Sequence, residues 1–292
     1  MMATPAAEVH IDAALVRNLL REQRADLAEL PVQVVANGWD NSVVRIGDEW
    51  MARLPRREMA AALIANEQRW LPVLAPLLPL PVPVPEFVGS PTADYPWSWS
   101  IGRWLPGQSA ADAPPSDQSA TADVLGGFVH AMHQPAPPDA PANEFRGVAL
   151  QARAAAVGDR VAALAQRIDA DRTSAVWQQL VATPAWNGPP LWLHGDLHPS
   201  NMLTLHGRLS AVIDFGDLTA GDPATDMAVA WMMFDAAHRP LFRAAIEVDD
   251  HTWRRAAGWA LNLSLAYLTG DDSTSMPAIG RATLHEVLTE FG

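Results

Sequence analysis

The chain has 292 residues, of which 49% are hydrophobic and 18% charged, a composition typical of folded globular proteins that excludes wholesale disorder or a fibrous repeat. All 20 basic residues are arginine, and both lysine and cysteine are absent, which excludes disulfides, thiolate metal sites, Schiff-base lysines and lysine-dependent phosphate loops. The net charge of −13 argues against a nucleic-acid partner, because binding to phosphate backbones depends on clustered basic residues.

The sequence shows no membrane segment or signal peptide. Residues 1–12 lack both a basic start and an apolar run. The longest uncharged apolar stretch, residues 70–85, contains six prolines, whereas a membrane-spanning helix needs about 20 residues with an intact hydrogen-bond ladder. We therefore expect a soluble, cytoplasmic protein with no membrane partner.

The first predicted elements are a helix and an antiparallel meander. Hydrophobic residues recur at helical spacing over residues 11–28, behind Asp12 as the N-cap. Short β-rich runs follow at 32–35, 42–46 and 50–54, separated by polar turns.

The next segment combines a helix with proline-rich connections. Helix-forming residues over 58–71 predict a helix that ends at Pro72. The alternating prolines of residues 79–85 predict an extended edge or linker, and residues 97–105 predict another strand.

The character of the sequence changes after a stretch rich in proline and serine over residues 106–119. We expect an N-terminal lobe over residues 1–105, with an antiparallel sheet, and a mostly helical lobe over 106–292. In the second lobe, alanine-rich segments at 119–134 and 148–181 predict helices.

The residues that carry chemistry are concentrated between 191 and 231. An apolar strand at 191–193 leads into His194-Gly195-Asp196, and Asn201 follows five positions after Asp196. A predicted hairpin over residues 202–213 then returns the chain, so that Asp214 comes back toward Asn201. Carboxylate and amide oxygens are ligands that suit Mg²⁺, which commonly also binds the phosphates of a substrate.

A metal hydrolase would use the same segment differently. His194 and His198 have the spacing of a helical pair of zinc ligands. Gly195 and Pro199 oppose a continuous helix at this point, which makes this alternative the weaker one.

The segments HGDLHPSN, at residues 194–201, and IDFGD, at 213–217, resemble the catalytic and metal motifs of the aminoglycoside phosphotransferase family of small-molecule kinases. The resemblance implies an α+β, protein-kinase-like fold of two lobes. It also implies that Asp196 is the catalytic residue, and that Asn201 and Asp214 bind Mg²⁺ on the phosphates of ATP or GTP.

Two further acidic residues follow these motifs. By the same resemblance, Asp226 binds backbone amides of the catalytic loop and has a structural role. Asp217 faces either the acceptor or the solvent, and the sequence slightly favours the solvent.

The resemblance also assigns the nucleotide site of the first lobe. The loop over residues 37–42 would cover the phosphates, with Gly38, Asn41 and Ser42 as the contact residues, although Gly38 is its only glycine. The hinge that contacts the base would be residues 100–104, which include Arg103 and Trp104.

The family's phosphate-binding lysine has no counterpart in a chain without lysine. Strand alternation favours Arg53 for this position, and Glu67, fourteen residues later, is its best candidate partner. Arg45, Arg56 and Arg57 are rival positions. Because a planar guanidinium binds phosphate differently from an ammonium group, a nucleotide-binding pseudokinase is an alternative to an active enzyme.

The charge distribution suggests a cationic acceptor. Residues 1–105 contain 9 arginines and 12 acidic residues, whereas residues 106–292 contain 11 and 21, so the negative charge lies mainly in the lobe that would bind the acceptor. A hydroxylated aminoglycoside fits this lobe best, and macrolides or choline-like, sugar-like or homoserine-like metabolites are alternatives. Candidate acidic contacts are Asp249, Asp250, Asp271 and Asp272, and Trp231 and Trp259 are candidates for lining an acceptor pocket.

Overall fold

The computed structural model describes residues 6–270 and 274–292. Helix α1 (Ala13–Gln23) opens the ordered structure, and its first turn is capped by Asp12, whose Oδ1 accepts from the Leu15 N–H at 2.8 Å. The apolar face of α1 buries Val16, Leu19 and Leu20 against the first lobe. The predicted helix and its N-cap are therefore confirmed, and the helix ends earlier than expected.

A five-stranded antiparallel sheet forms most of the first lobe. Its order is β1–β2–β3–β5–β4, and the strands are β1 (Val32–Asn37), β2 (Asn41–Ile46), β3 (Trp50–Pro55), β4 (Pro85–Gly89) and β5 (Trp99–Arg103). The strands β1, β2 and β3 are joined by short turns, which confirms the predicted meander. One face of the sheet buries Val44, Ala52, Trp99 and Ile101 in a core shared with α1.

The helix that follows the meander continues through Pro72, so the prediction that Pro72 ends it is wrong. Helix α2 spans Glu58–Leu74, and the N–H of Ala75 still donates to the carbonyl of Leu71. Leu71 and Leu74 are both buried, with exposures of 0% and 3%. Tertiary packing therefore outweighs the backbone hydrogen bond that a proline removes from a helix.

The second lobe is mainly helical. Its helices are α3 (Gln118–Met132), α4 (Ala154–Ala163), α5 (Ala170–Val181), α6 (Ala224–Met227), α7 (Ala230–Met233), α8 (Arg239–Ile246), α9 (Asp250–Leu268) and α10 (Met276–Phe291). Helix α9 is the centre of this lobe, since it packs against α4, α5, α6 and α10 and buries most of its residues. Within the predicted helical segment 148–181, a 3₁₀ turn over Leu150–Arg153 precedes α4, and a break at residues 164–169 separates α4 from α5.

Trp231 and Trp259 belong to the core of this lobe. Their exposures are 1% and 0%, so neither side chain lines an open acceptor site. Trp231 instead stacks on Trp253 at 4.7 Å between ring centroids, and its indole N–H donates to Glu290. The suggestion that these two tryptophans contact an acceptor is therefore wrong, because burial of their large apolar surface stabilises the helical core.

Two small sheets carry the segment with the sequence motifs. The strands β6 (Gln108–Ser109), β8 (Met202–Leu205) and β9 (Arg208–Val212) form one sheet. The strands β7 (Leu191–Leu193) and β10 (Thr219–Gly221) form the other. The hairpin β8–β9 forms as predicted and brings the end of β9 back beside the start of β8.

The predicted α+β class, with an antiparallel sheet in the first lobe and helices in the second, is confirmed. The boundary proposed between residues 105 and 106 falls between β5 and β6 and stays a prediction. Leu71 and Leu74 of α2 pack with the core of the second lobe, so the two lobes share an apolar contact. Among the described residues, no helix is long and apolar enough to cross a membrane.

The continuation of α2 beyond Pro72 gives a stability prediction. Leu74→Ala should lower the free energy of unfolding by about 2–5 kcal/mol, because it removes a buried side chain that α2 places in the core. Val73→Ala is the matched control, since Val73 is 59% exposed on the same helix and its loss should cost less than about 0.5 kcal/mol. Urea unfolding measures both, and equal effects would contradict the packing of this turn.

Candidate active site

The loop after β7 is held by a buried carboxylate. Asp226, at the start of the helical segment that follows β10, is 1% exposed and accepts hydrogen bonds from the backbone N–H groups of His194 at 2.8 Å and Gly195 at 2.9 Å. Gly195 has φ +87°, and a Cβ there would lie 2.1 Å from the carbonyl oxygen of Asp217. Only glycine fits this close approach. The contact of Asp226 is the one that the resemblance implies.

Asp196 follows Gly195 and directs its carboxylate to a partly open space, with 25% of the side chain exposed. Arg146 Nη2 donates to Oδ1 at 2.9 Å, and His198 Nε2 lies 3.3 Å from Oδ2. Burial opposes ionisation, but His198 and Arg146 outweigh it and hold the pKa of the Asp196 carboxyl well below its usual range. The carboxylate is therefore ionised and oriented at both oxygens.

Both ring nitrogens of each histidine in the loop contact other groups of the protein. His194 accepts from the N–H of Asp196 at Nδ1, and its Nε2 lies 3.0 Å from the carbonyl oxygen of Ile213. His198 accepts from the N–H of Ser200 at Nδ1 and faces Asp196 through Nε2. The two side chains support the loop, and neither has a nitrogen left for zinc. This geometry disfavours the metal-hydrolase alternative.

Asn201 and Asp214 present the oxygen atoms that a magnesium ion needs. The amide nitrogen of Asn201 donates to the carbonyl of Asp196 at 2.9 Å, which turns the amide oxygen to other partners. The backbone of Asn201 also accepts from Ile213, so the residue before Asp214 is tied to the loop. Asp214 adopts φ 62°, a left-handed conformation that aspartate tolerates, and its side chain is 53% exposed. Hard oxygen donors of this kind fit Mg²⁺.

Arg53 of β3 joins this centre to the first lobe. Its Nη2 donates to Glu67 of α2 at 2.8 Å and to Asp214 at 3.0 Å, and Arg53 and Glu67 are 6% and 1% exposed. Burial raises the pKa of Glu67 to about 7 in spite of its contact with Arg53. Burial also opposes ionisation of Asp214, but Arg53 outweighs it and lowers the pKa of that carboxyl. The predicted pair of Arg53 and Glu67 is present, and it extends to the metal candidate.

The loop predicted to cover the phosphates is the turn between β1 and β2. The N–H of Gly38 donates to the carbonyl of Asn41 at 2.9 Å, and Ser42 donates to Asn37 Oδ1 at 2.6 Å. Among the described residues, the buried Oδ1 of Asn41 has no hydrogen-bond partner. The register of β2 with β3 pairs Ser42 with Leu54, beside Arg53, so the turn and Arg53 share one end of the sheet.

The rival arginines occupy other positions. Arg56 donates to the carbonyl of Gly38 at 2.6 Å, and Arg57 forms an ion pair with Asp40 at 2.5 Å, so both stabilise the turn. Arg45 pairs with the exposed Asp48. Their side chains are engaged away from Glu67, which leaves Arg53 as the arginine of this centre.

The hinge residues lie at the end of β5. Arg103 forms ion pairs with Glu49 and Glu86, both at 3.0 Å, and its guanidinium lies over the ring of Trp50. The N–H of Trp104 donates to the carbonyl of Glu49 at 2.8 Å. These contacts fix the hinge, and binding of a base by its backbone stays a prediction.

The space beside Asp196 contains residues that the sequence did not reveal. Asp217 accepts from Asn143 Nδ2 at 2.7 Å and lies 3.6 Å from Arg146 Nε, so it is held beside Asp196 instead of projecting freely into solvent. Burial raises the pKa of Asp217, an effect that Arg146 only partly offsets. Arg146 and Asn143 come from the irregular segment before α4. No motif marks them, and only the fold brings them to Asp196.

The acidic candidates for acceptor binding lie elsewhere or outside the described residues. Asp249 caps α9 by accepting from the N–H of Thr252 at 2.9 Å, and Asp250 pairs with Arg243. These partners give both residues a role at the start of the helix. Asp271 and Asp272 lie outside the described part of the chain.

The combination of a β-rich lobe, a helical lobe and this oxygen-rich centre defines a kinase-like enzyme that phosphorylates a small molecule. The chain belongs to the phosphotransferase enzyme family, whose model matches residues 31–259. The family expected from the two motifs is therefore confirmed. No curated protein matches the sequence.

Solved structures have the same fold. The GDP and kanamycin complex of an aminoglycoside 2″-phosphotransferase is similar over 95% of this chain and 97% of that one, with 19% identity and a TM-score of 0.68. The GDP complex of aminoglycoside 2′-phosphotransferase-IIIa gives a TM-score of 0.69 at 18% identity over 96% and 99%. An apoenzyme of macrolide 2′-phosphotransferase from Brachybacterium faecium gives 0.61 at 21% identity over 92% and 97%. The predicted two-lobed kinase-like fold is thereby confirmed.

The raised pKa of Glu67 predicts a pH dependence of stability. The folded protein keeps a proton on Glu67 that the unfolded chain releases between the ordinary pKa of 4.5 and about pH 7. Stability should therefore fall as pH rises through this window, by on the order of 2 to 3 kcal/mol from this group. Glu67→Gln should remove this part of the slope, as measured by urea unfolding between about pH 5 and pH 8.

Glu58→Gln is the control for this measurement, because Glu58 begins the same helix and is exposed. It should keep the wild-type slope. A Glu67→Gln variant whose stability still declines as steeply as that of the wild type would show that Glu67 is not the titrating group.

Proposed function

We propose that the protein transfers the γ-phosphoryl group of ATP or GTP to a hydroxyl group of a small molecule, with aminoglycoside-type antibiotics as the first class of acceptor to test. The observation that carries the proposal is the convergence of Asp196, Asn201 and Asp214. Asn201 is bonded to the backbone of Asp196, and the N–H of Ile213, the residue before Asp214, donates to the carbonyl of Asn201. This arrangement supports a site with a carboxylate for the hydroxyl beside oxygens for a metal.

Each residue has a part in in-line phosphoryl transfer. Asn201 and Asp214 would hold Mg²⁺, which neutralises charge on the phosphates when it is bound. Arg53 would bind the phosphates with the guanidinium donors that Glu67 and Asp214 leave free, and Glu67 fixes its direction. Asp196 would accept a hydrogen bond from the acceptor hydroxyl and take its proton. Catalysis of this reaction rests mainly on positioning and electrostatic stabilisation.

The low pKa of Asp196 is compatible with this role. A carboxylate held by Arg146 and His198 is a weak base, so it would not remove the proton early. In a loose transition state the attacking hydroxyl forms little bond to phosphorus until late, and orientation matters more than base strength. Arg146 and His198 supply that orientation.

Donor and acceptor have unequal support. Solved relatives contain GDP, and one is a ternary complex with streptomycin and ATP, which supports both nucleotides as donors. A relative with kanamycin and the net charge of residues 106–292 support an aminoglycoside, whereas another relative is a macrolide phosphotransferase. Screening both antibiotic classes and small metabolites for acceptor-dependent ADP or GDP release tests the proposal. Binding of the nucleotide without release of ADP or GDP, whichever acceptor is added, would favour the pseudokinase alternative. Residence in the cytoplasm also stays a prediction.

Removal of the Asp196 carboxylate tests the reaction. Asp196→Ala should lower kcat by about 10²- to 10⁴-fold, because the acceptor hydroxyl loses its orienting base. Affinity for a non-hydrolysable ATP analogue should change little, since Asp196 faces the acceptor. Steady-state kinetics and calorimetry measure the two effects, and Asp123→Ala, an exposed change on α3, is the control. Equal turnover in the two variants would remove Asp196 from the mechanism.

Removal of Arg53 tests the nucleotide site. Arg53→Ala should weaken binding of the ATP analogue by about tenfold or more, because a charge-assisted contact to phosphate is lost. Arg21→Ala, which removes an exposed arginine of α1 that donates to Asn18, should leave the affinity unchanged. Calorimetry compares them, after thermal unfolding has shown that the variant without the buried arginine is folded. Unaltered affinity in Arg53→Ala would mean that another arginine binds the phosphates.

A further inference from the structure

The face of the first-lobe sheet that carries Arg53 carries a second arginine. Arg45 of β2 lies directly opposite Met51 of β3, and Met51 is two residues before Arg53. Because paired residues share a face of the sheet and alternate residues of one strand do as well, Arg45 and Arg53 lie on the same face. The opposite face contains Val44 and Ala52, which pack in the core with α1. Arg45 is therefore on the side of the sheet that the proposed nucleotide would use.

Arg45 lies nearer than Arg53 to the end of β5. Arg53 pairs with Ser100 of β5. Met51, which is opposite Arg45, pairs with Gly102. Two residues of a strand span about 7 Å, so Arg45 is displaced by roughly that distance toward the hinge. A nucleotide with its phosphates at Arg53 and its base at the hinge would pass Arg45.

The guanidinium of Arg45 is oriented by the hinge and keeps hydrogen-bond donors for a ligand. It lies 4.9 Å from the ring centroid of Trp104, a distance at which a guanidinium is attracted to an aromatic face. Its Nη2 donates to Asp48 Oδ1 at 3.1 Å, but the Asp48 side chain is 98% exposed, and such surface pairs contribute little. Among the described residues, the buried Nε of Arg45 has no hydrogen-bond partner.

A cavity of about 510 Å³ opens beside this guanidinium. Arg45 lines it together with the ring of Trp50 and the acidic residues Asp48 and Glu49. The carbonyl of Glu49 accepts from the N–H of Trp104, so the cavity adjoins the hinge. Its volume is in the range of small-molecule sites. An aromatic surface with both donors and acceptors suits a planar heterocycle that itself carries acceptors and donors.

We propose that Arg45 recognises the base of the phosphoryl donor and selects guanine over adenine. The inference rests on the proposed phosphotransfer and narrows its donor to GTP. A guanidinium only donates hydrogen bonds, and guanine presents two acceptors, O6 and N7, on one edge. Adenine has an amino group in place of O6, which would oppose a donor. Guanine also has an amino group at N2, which adenine lacks and which the carboxylates of Asp48 and Glu49 can accept from.

The test compares GDP with ADP as ligands, by calorimetry in the presence of Mg²⁺. The wild type should bind GDP about tenfold more tightly than ADP, the range of one good contact to a base edge. Arg45→Met keeps an apolar side chain beside Trp104 but removes the donors, so it should weaken GDP binding about tenfold and change ADP binding little. Arg45→Gln, whose amide offers an acceptor as well as donors, should also lose the preference for GDP.

Arg21→Met is the matched control, since it makes the same change at an exposed position of α1 and should keep the preference of the wild type. The side chain of Arg45 is 36% exposed, so both of its variants should fold, which thermal unfolding verifies.

The outcomes separate this inference from the function on which it rests. Failure of the wild type to bind either nucleotide would count against the proposed phosphotransferase itself. Binding of both with equal affinity, or tighter binding of ADP, would overturn the selection of guanine alone. An equal loss of GDP and ADP affinity in Arg45→Met would show that Arg45 acts on the phosphates, and this result would also overturn the inference. A preference for GDP that survives in both Arg45 variants would assign the base to other residues.

Discussion

The architecture of the site depends on the buried guanidinium of Arg53. One nitrogen atom of this group contacts Glu67 in the first lobe and Asp214 in the second, at 2.8 and 3.0 Å. A buried charge of this kind is tolerable only while it is paired, because removal of a partner leaves an uncompensated ion. The pairing thus couples the positions of the sheet, of α2 and of Asp214. The geometry of the site therefore depends on contacts from both lobes.

The loop that contains Asp196 uses polar groups mainly to fix the backbone. Asp226 accepts from two backbone N–H groups, His194 links the loop to Ile213, and His198 contacts Asp196 within the loop. Such buried networks stabilise one conformation when every member has a partner. The Asp196 carboxylate is therefore carried by a rigid loop.

The sequence predicted the parts of this site that are local in the chain. Asp196, Asn201 and Asp214 lie within one strand, loop and hairpin, and the family resemblance together with strand alternation favours Arg53 over its rivals. The position of Arg146 depends on a long-range contact across fifty residues, for which no periodicity exists. The continuation of α2 through Pro72 was missed for a related reason, since packing of Leu74 outweighed a local helix-breaking signal.

The presence of arginine, at the position where the family resemblance implies a lysine, affects how the proposed nucleotide site can be studied. A guanidinium is far less nucleophilic than an amine and stays protonated at every accessible pH. Acylating nucleotide analogues, which mark ordinary kinases by forming an amide with the amine beside the phosphates, would find no amine at Arg53. Such reagents would not label the protein at Arg53, whether or not it is active.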